Sequence, residues 1–494
     1  MSMTLQDAWG LVSDRRFDNL EMPILDDPIH YGAKADVGEH EGEFLSLSTD
    51  FPRQAGLFSD FLTGKTSALA SLPFESRLSG LFRYLASPMR YEPLNLPDVH
   101  YPLSSFGGLS SCGIKFIRRH PKHEKQAQVY CFNGNYHALE KQAENVEWDV
   151  ALSENQWLIC IVGQYWTVGR KYGDFAPMGV VLDSGIVLAQ LQYLLNLFGL
   201  PCHTGYNGLT ALNQKLIPDA SFQQVLAAVT VDVPESANTL LEQGQWEPLT
   251  VATYQEPKGL MQRFALLKDS VSLLSCEYEG RWPSPFQYEA DDDLHSSLPQ
   301  KDMLDVFYNR TASNDRLGFS QVNKALNSTF LKQFMQVLQQ LKTRRDRLPL
   351  EDKLLINVAW MNTSGPAMGM YDERGEPTFI AQDEKQFHRI LQDCLYSDNQ
   401  KYNFSSMTLE LFISVDTAEV SRIAGNSAFR AAHMAAGAVV HDVCLAASLF
   451  DGFARPARMF RDTQKQQRLG LEGQLLIQVL VGFNRYNNFA LTIL

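Results

Sequence analysis

A chain of 494 residues with 45% hydrophobic, 11% aromatic and 20% charged residues has a packing composition, which excludes intrinsic disorder as its general state. Its 43 Lys and Arg against 56 Asp and Glu leave a net charge of −13, which disfavours nucleic acid as a partner. The seven cysteines are scattered and never form a C-x-x-C pair, so neither a disulfide framework nor a zinc site is expected, and a reducing, cytoplasmic compartment is.

In chain order, residues 1–45 read as an irregular N-terminal segment without a basic stretch leading into an apolar run, so no signal peptide is expected. Gly64-Lys65-Thr66 resembles the end of a phosphate-binding P-loop, but Ser59 stands where that loop needs its first glycine. Residues 104–111, SSFGGLSS, precede an apolar strand. Two glycines among small hydroxylated residues let a backbone approach a flat ligand and donate N–H groups to it, and a flexible loop is the plainer reading. From Val129, VYCFNGNYHAL suits a strand, a turn and a returning strand, and Trp157 to Val162 reads as a further strand.

Arg170-Lys171-Tyr172-Gly173 follows. A Lys beside a Tyr can serve as a general acid–base pair tuned by burial, against the plainer reading of a surface turn. Residues 184–214 carry no Asp, Glu, Lys or Arg, yet their Gln, Asn and Pro201 point to a buried helix and a loop rather than a membrane span. Residues 207–278 mix short helical and strand patterns. Residues 281–301, rich in Pro and acidic side chains, read as a linker. After the periodic residues 303–308 come Arg310, Ser313 and Arg316. At three-residue spacing they offer charge-assisted donors and a hydroxyl to a phosphate, against the plainer reading of a capped helix end. No H-E-x-x-H, G-x-S-x-G or strand-borne G-x-G-x-x-G occurs, so zinc hydrolase, P-loop and Rossmann readings drop out, and no metal site is expected.

The chain also repeats itself. Residues 183–199 and 435–451, both apolar nearly all round, align without gaps, with Gly185 on Gly437 and Phe198 on Phe450. Upstream, Gly173 falls on Gly425, the strand at 157–162 matches that at 409–415, and Tyr130…Gly134 matches Tyr371…Gly375. This order suggests a tandem duplication of an α+β unit, with domains at 46–280 and 302–494.

The three candidate sites, in this order around the repeat, resemble the nitroreductase superfamily of FMN proteins, and the first half resembles its SagB-type azoline dehydrogenases. The specific part covers residues 104–200: the Gly-Gly loop, VYCFNGNYHAL, Trp166…Lys171-Tyr172-Gly173, Val181-Leu182-Asp183-Ser184-Gly185 and Phe198-Gly199-Leu200. The second half matches the broader outline, through Arg310–Arg316 and the Gly425…Gly437 helix. Phe106 and Ser111 depart from the usual Ser and Tyr. The arginine phosphate motif is degenerate at residues 61–67, Ile423-Ala424 replaces the Lys-Tyr pair, and a Gly-Gly loop is missing before residues 354–360.

The resemblance implies two tandem nitroreductase-like domains, each a mostly antiparallel sheet flanked by helices, forming an intramolecular pseudo-dimer. The complementary losses imply one FMN per chain, its phosphate on Arg310, Ser313 and Arg316 and its ring near Ser105, Phe106, Gly107 and Gly108. Lys171 or Tyr172 would remove a carbon-bound proton as a thiazoline or oxazoline in a ribosomally made peptide is oxidised. Partners would be the peptide and a cyclodehydratase complex, with no membrane, in a chain that is monomeric or homodimeric. Residues 1–45 and 207–280 are the candidates for peptide capture. Other readings are a peptide desaturase or NAD(P)H-dependent nitro or quinone reductase, and a flavin-free scaffold subunit of a peptide-modifying complex.

Overall fold

The computed structural model describes residues 3–11, 36–93, 98–148, 152–205, 208–217, 222–255, 267–278, 280, 283–284, 296–313, 321–324, 326–327, 329–362, 364–395, 403–458, 460–485 and 490–493. Two large antiparallel sheets dominate it. The first runs Trp246–Gln255, Asp36–Ser46, Ala138–Glu147, His123–Asn133, Cys112–His120, Gln156–Gln164, Gln223–Asp232, Cys202–Gly205. The second runs Gln321–Val322, Gln474–Asn484, Leu409–Val415, Leu354–Trp360, Gly369–Tyr371, Pro377–Ile380, with Phe453–Ala457 also paired to Gln474–Asn484.

The duplication is visible residue by residue. Helices Tyr165–Tyr172 and Thr417–Ala424 each end in a one-turn 3₁₀ segment, Gly173–Phe175 and Gly425–Ser427, that opens a 22-residue helix, Ala176–Leu197 or Ala428–Leu449. Gly173 (φ 54°, ψ −132°) and Gly425 (φ 51°, ψ −138°) make the same bend, in a region that only glycine occupies without strain. The registers agree too: Cys112 faces Gly163 as Leu354 faces Val415, and Arg118 faces Trp157 as Trp360 faces Leu409.

The long helices cross at the two glycines aligned in the sequence. A Cβ on Gly185 would lie 2.0 Å from the Met434 carbonyl oxygen, and one on Gly437 would lie 2.1 Å from that of Leu182. Leu182 and Met434 are themselves equivalent, so the crossing has a local two-fold axis. Further out, Phe58 N–H donates to Lys301 O at 2.8 Å and Met303 N–H donates to Gly56 O at 3.0 Å, again a reciprocal pair. Both apolar stretches, 165–197 and 417–449, have the length and composition of membrane spans, but the most apolar eighteen-residue window of each is entirely buried inside the protein. Their near-uniform apolarity reflects contact with a sheet, with each other and with flanking helices.

Two parts of the sequence reading change. Residues 36–45, placed in an irregular N-terminal segment, belong to the strand Asp36–Ser46, which pairs with Trp246–Gln255 and with Ala138–Glu147. Its alternation of charged residues with Gly, apparent only in part, had hidden it. The mixed region 207–278 resolves into helices Leu209–Leu216, Glu235–Gln243 and Leu267–Leu274 around strands Gln223–Asp232 and Trp246–Gln255. Most of the linker 281–301 lies outside the described residues.

Candidate active site

The Gly-Gly loop enters in extended conformation at Ser105 and turns through a short 3₁₀ segment, Phe106–Gly108, with Gly107 at φ 63° and Gly108 at φ 72°. Its ends are tied to one carboxylate on the first long helix. Phe106 N–H donates to Asp183 Oδ1 at 2.7 Å, and Ser111 Oγ–H donates to Asp183 Oδ2 at 2.7 Å. The Phe106 ring packs against Gly179 and meets Tyr172 edge-on at 4.7 Å between centroids. A Cβ on Gly107 would fall 2.7 Å from the Tyr172 hydroxyl. Lys171 Nζ stands 5.2 Å from the centre of the Tyr172 ring. Two of the three sequence-derived sites, about seventy residues apart in the chain, are therefore in contact.

The third site reaches the same loop from the second half of the chain. Arg310 is 3% exposed; its Nε donates to Pro102 O at 2.8 Å, and its Nη2 donates to Tyr101 O at 3.0 Å and Leu103 O at 3.2 Å. Burial lowers its pKa to about 10, still high enough to keep the guanidinium charged at neutral pH. These donors satisfy the carbonyls of the segment that leads into the Gly-Gly loop, a holding role that its sequence spacing did not suggest.

Ser313, at φ 70°, donates from Oγ to Asn484 Oδ1 at 2.6 Å. Arg316 lies outside the described residues. One cation missed by the sequence reading flanks this turn. Half-buried Arg455 donates from Nη1 to Ala312 O at 3.4 Å, whereas exposed Arg485, which follows Asn484, donates to Gln321 O at 3.5 Å. Nothing local marks Arg455, because it reaches the turn only through strand pairing. Together Arg455 and Ser313 can hold an anionic group, while the loop and the aromatic pair can border a flat ring.

Asp183 is pushed up to about 7 by burial, against its hydrogen bonds to Ser111 and Phe106. An acid whose folded pKa lies above its usual 3.8 favours the folded state below that value, and the advantage is lost as pH rises through 7. Above pH 7 the buried carboxylate costs about 4 kcal/mol relative to the unfolded chain. Asp183→Asn is therefore expected to raise Tm at pH 8, and by clearly less at pH 5; equal shifts at both pH values would contradict the burial effect.

The equivalent place in the second half is built differently. Residues 345–353 take the position of 103–111, with Leu350 at φ 63° where Gly108 has φ 72°, and Pro349 in place of Gly107. Arg345 points inward and binds Glu351 through both terminal nitrogens, at 2.6 and 2.8 Å, and Asp442 at 2.9 Å. Tyr193 adds its hydroxyl to Asp442 at 2.5 Å, and the three charged side chains are fully buried. This ion triad fills the space beside the second long helix. The first half thus carries the Gly-Gly loop, and the second carries a buried ion triad in its place.

No protein-family model matches the sequence, and no curated protein matches it. Among solved structures, the chain is similar to a protein from Anabaena variabilis named as a candidate nitroreductase, with TM-score 0.61 and 14% identity over 98% of this chain and 100% of that one. The fold is that of the nitroreductases, in tandem. Partial overlaps, each with TM-score 0.29 and 12% identity, involve a candidate nitroreductase from Ralstonia eutropha (38% of this chain, 89% of that one) and the E. coli microcin synthetase McbBCD complex with truncated pro-MccB17 bound (42% and 79%).

Proposed function

We propose that the chain is an FMN-dependent oxidoreductase with one flavin site, which oxidises a thiazoline or oxazoline in a ribosomally made peptide to a thiazole or oxazole. The observation that carries the flavin reading is the convergence of the two halves. Arg310 from the second half holds the lead-in of the Gly-Gly loop, and that loop packs on Tyr172 of the first half. The residues fit the group. Gly107 and Gly108 adopt positive φ, a Cβ on Gly107 would collide with Tyr172, and Ser313 with Arg455 lines a turn suited to a phosphate.

Bound there, FMN would supply the hydride acceptor. Ser313 and Arg455, with Arg316 of the same arginine motif, would bind its phosphate, while Arg310 would hold the lead-in of the loop. Lys171 or Tyr172 would take the acidic carbon-bound proton, and the Phe106 and Tyr172 rings would exclude water from the reacting face. The azoline reading rests on the SagB-type resemblance of residues 166–173 and 181–185. A peptide substrate, a cyclodehydratase partner and a cytoplasmic location go with it.

The purified protein is expected to absorb near about 450 nm with one flavin per chain. Lys171→Ala or Tyr172→Phe is expected to lower azoline turnover by about a hundredfold or more with the flavin retained. A colourless protein that takes up no added FMN would overturn the flavin reading, and a ratio near two would overturn the single site. Bleaching of the flavin by NAD(P)H, with no action on an azoline peptide, would replace the azoline reading with a reductase.

A further inference from the structure

We infer that Asp183 is a positioning residue that sets the conformation of the Gly-Gly loop and, through it, the contact between Phe106 and Tyr172; the consequence for flavin rests on the reading above. The carboxylate bridges the loop from one end to the other, accepting from Phe106 N–H and from Ser111 Oγ–H, both at 2.7 Å. Between those anchors lie three residues with positive φ, Gly107, Gly108 and Ser110. Such a segment has little preference of its own for one shape, so the anchors decide it.

The support is rigid: Asp183 is buried on the long helix that crosses its counterpart at Gly185. Fixing the Phe106 backbone also fixes its ring, which is wedged among Gly179, Tyr172 and Phe175. Asp183 thus acts on Tyr172 through Phe106. The duplication supplies an internal control. At the equivalent position the second long helix carries Ala435, and there the loop is 345–353, without paired glycines and tied instead by Arg345, Glu351 and Asp442. The carboxylate occurs with the Gly-Gly loop and is absent without it. A carboxyl group suits the task, since its two oxygens hold two partners at once from one short side chain.

The test is amide hydrogen exchange across residues 105–111 in the full chain without added flavin, together with titration by free FMN. Asp183→Ala is expected to speed exchange at Phe106 by about tenfold or more and to weaken FMN binding by a similar factor. Asp183→Asn, whose Oδ1 still accepts from Phe106 N–H, is expected to restore most of both. Ser111→Ala removes only the second anchor and is expected to loosen the loop less, which keeps the test open if Asp183→Ala does not fold. Unchanged exchange in Asp183→Ala and Ser111→Ala, or no recovery in Asp183→Asn, overturns the inference. Faster exchange in Asp183→Ala, in a chain whose wild type takes up no FMN, sustains the clamp and removes the flavin reading instead.

Discussion

Alanine at Gly185 or at Gly437 is expected to destabilise the chain by about 3 kcal/mol or more, among the largest effects of any single methyl group in this fold. At each position the new Cβ would meet a backbone carbonyl oxygen at 2.0 or 2.1 Å, far inside van der Waals contact, and a carbonyl in a helix cannot swing aside as a side-chain tip can. Relief requires the two 22-residue helices to separate, and these are buried along almost their whole length. Separation would open gaps among side chains such as Leu188, Leu191, Val439 and Val443, each with no exposed surface. Because both substitutions press on the same crossing, the double variant is expected to lose less than the sum. Gly10→Ala is the control: nothing lies within 4 Å of the added methyl group, and its effect should stay within about 1 kcal/mol of wild type. Chemical denaturation of the three variants checks this, and a near-neutral Gly185→Ala would mean that the helices do not meet as described.

Arg345→Met is expected to cost about 3–5 kcal/mol, because it leaves Glu351 and Asp442 buried without their common counter-charge. Arg345 meets Glu351 through two parallel hydrogen bonds and Asp442 through a third, so one substitution breaks the whole triad. Replacing all three residues together, as Arg345→Met with Glu351→Leu and Asp442→Leu, is expected to recover most of that loss. Desolvating three charges is itself expensive, and an apolar trio of similar volume avoids the cost. Tyr193 then loses its carboxylate acceptor but keeps the Leu341 carbonyl oxygen at 3.1 Å. Denaturation midpoints of the single and triple variants decide the matter. A triple variant no more stable than the single one would show that the triad contributes more than its charges cost. The flavin content of the triple variant is expected to remain one per chain, since Pro349 and Leu350 still replace the paired glycines.

Parts of the fold were legible because they follow local rules. Gly173, Gly185, Gly425 and Gly437 marked the duplication and the apolar runs around them marked helices with no solvent face, whereas the bend at the first of each pair and the crossing at the second came from the structure. The Gly-Gly loop and the Lys171-Tyr172 pair were readable for the same reason, as short segments whose residue types limit what they can do. The strand at 36–46 was not readable, since an edge-ward strand with Glu and Gly at alternating positions lacks the apolar period that signals burial.

By itself, then, the sequence determined that the chain is an α+β protein made of two related halves, and it marked the loop, the pair and the arginine turn as separate candidates. Only the tertiary structure decided how they relate. It turned Arg310 onto the carbonyls of residues 101–103, brought Arg455 beside Ser313, tied the loop to Asp183 and closed the counterpart with Arg345, Glu351 and Asp442. The reason is physical. Backbone bends and helix faces are set by residues within a few positions of each other, whereas the partners of a buried charge are chosen by whichever groups the packed halves bring within about 3 Å, however far apart they lie in the chain.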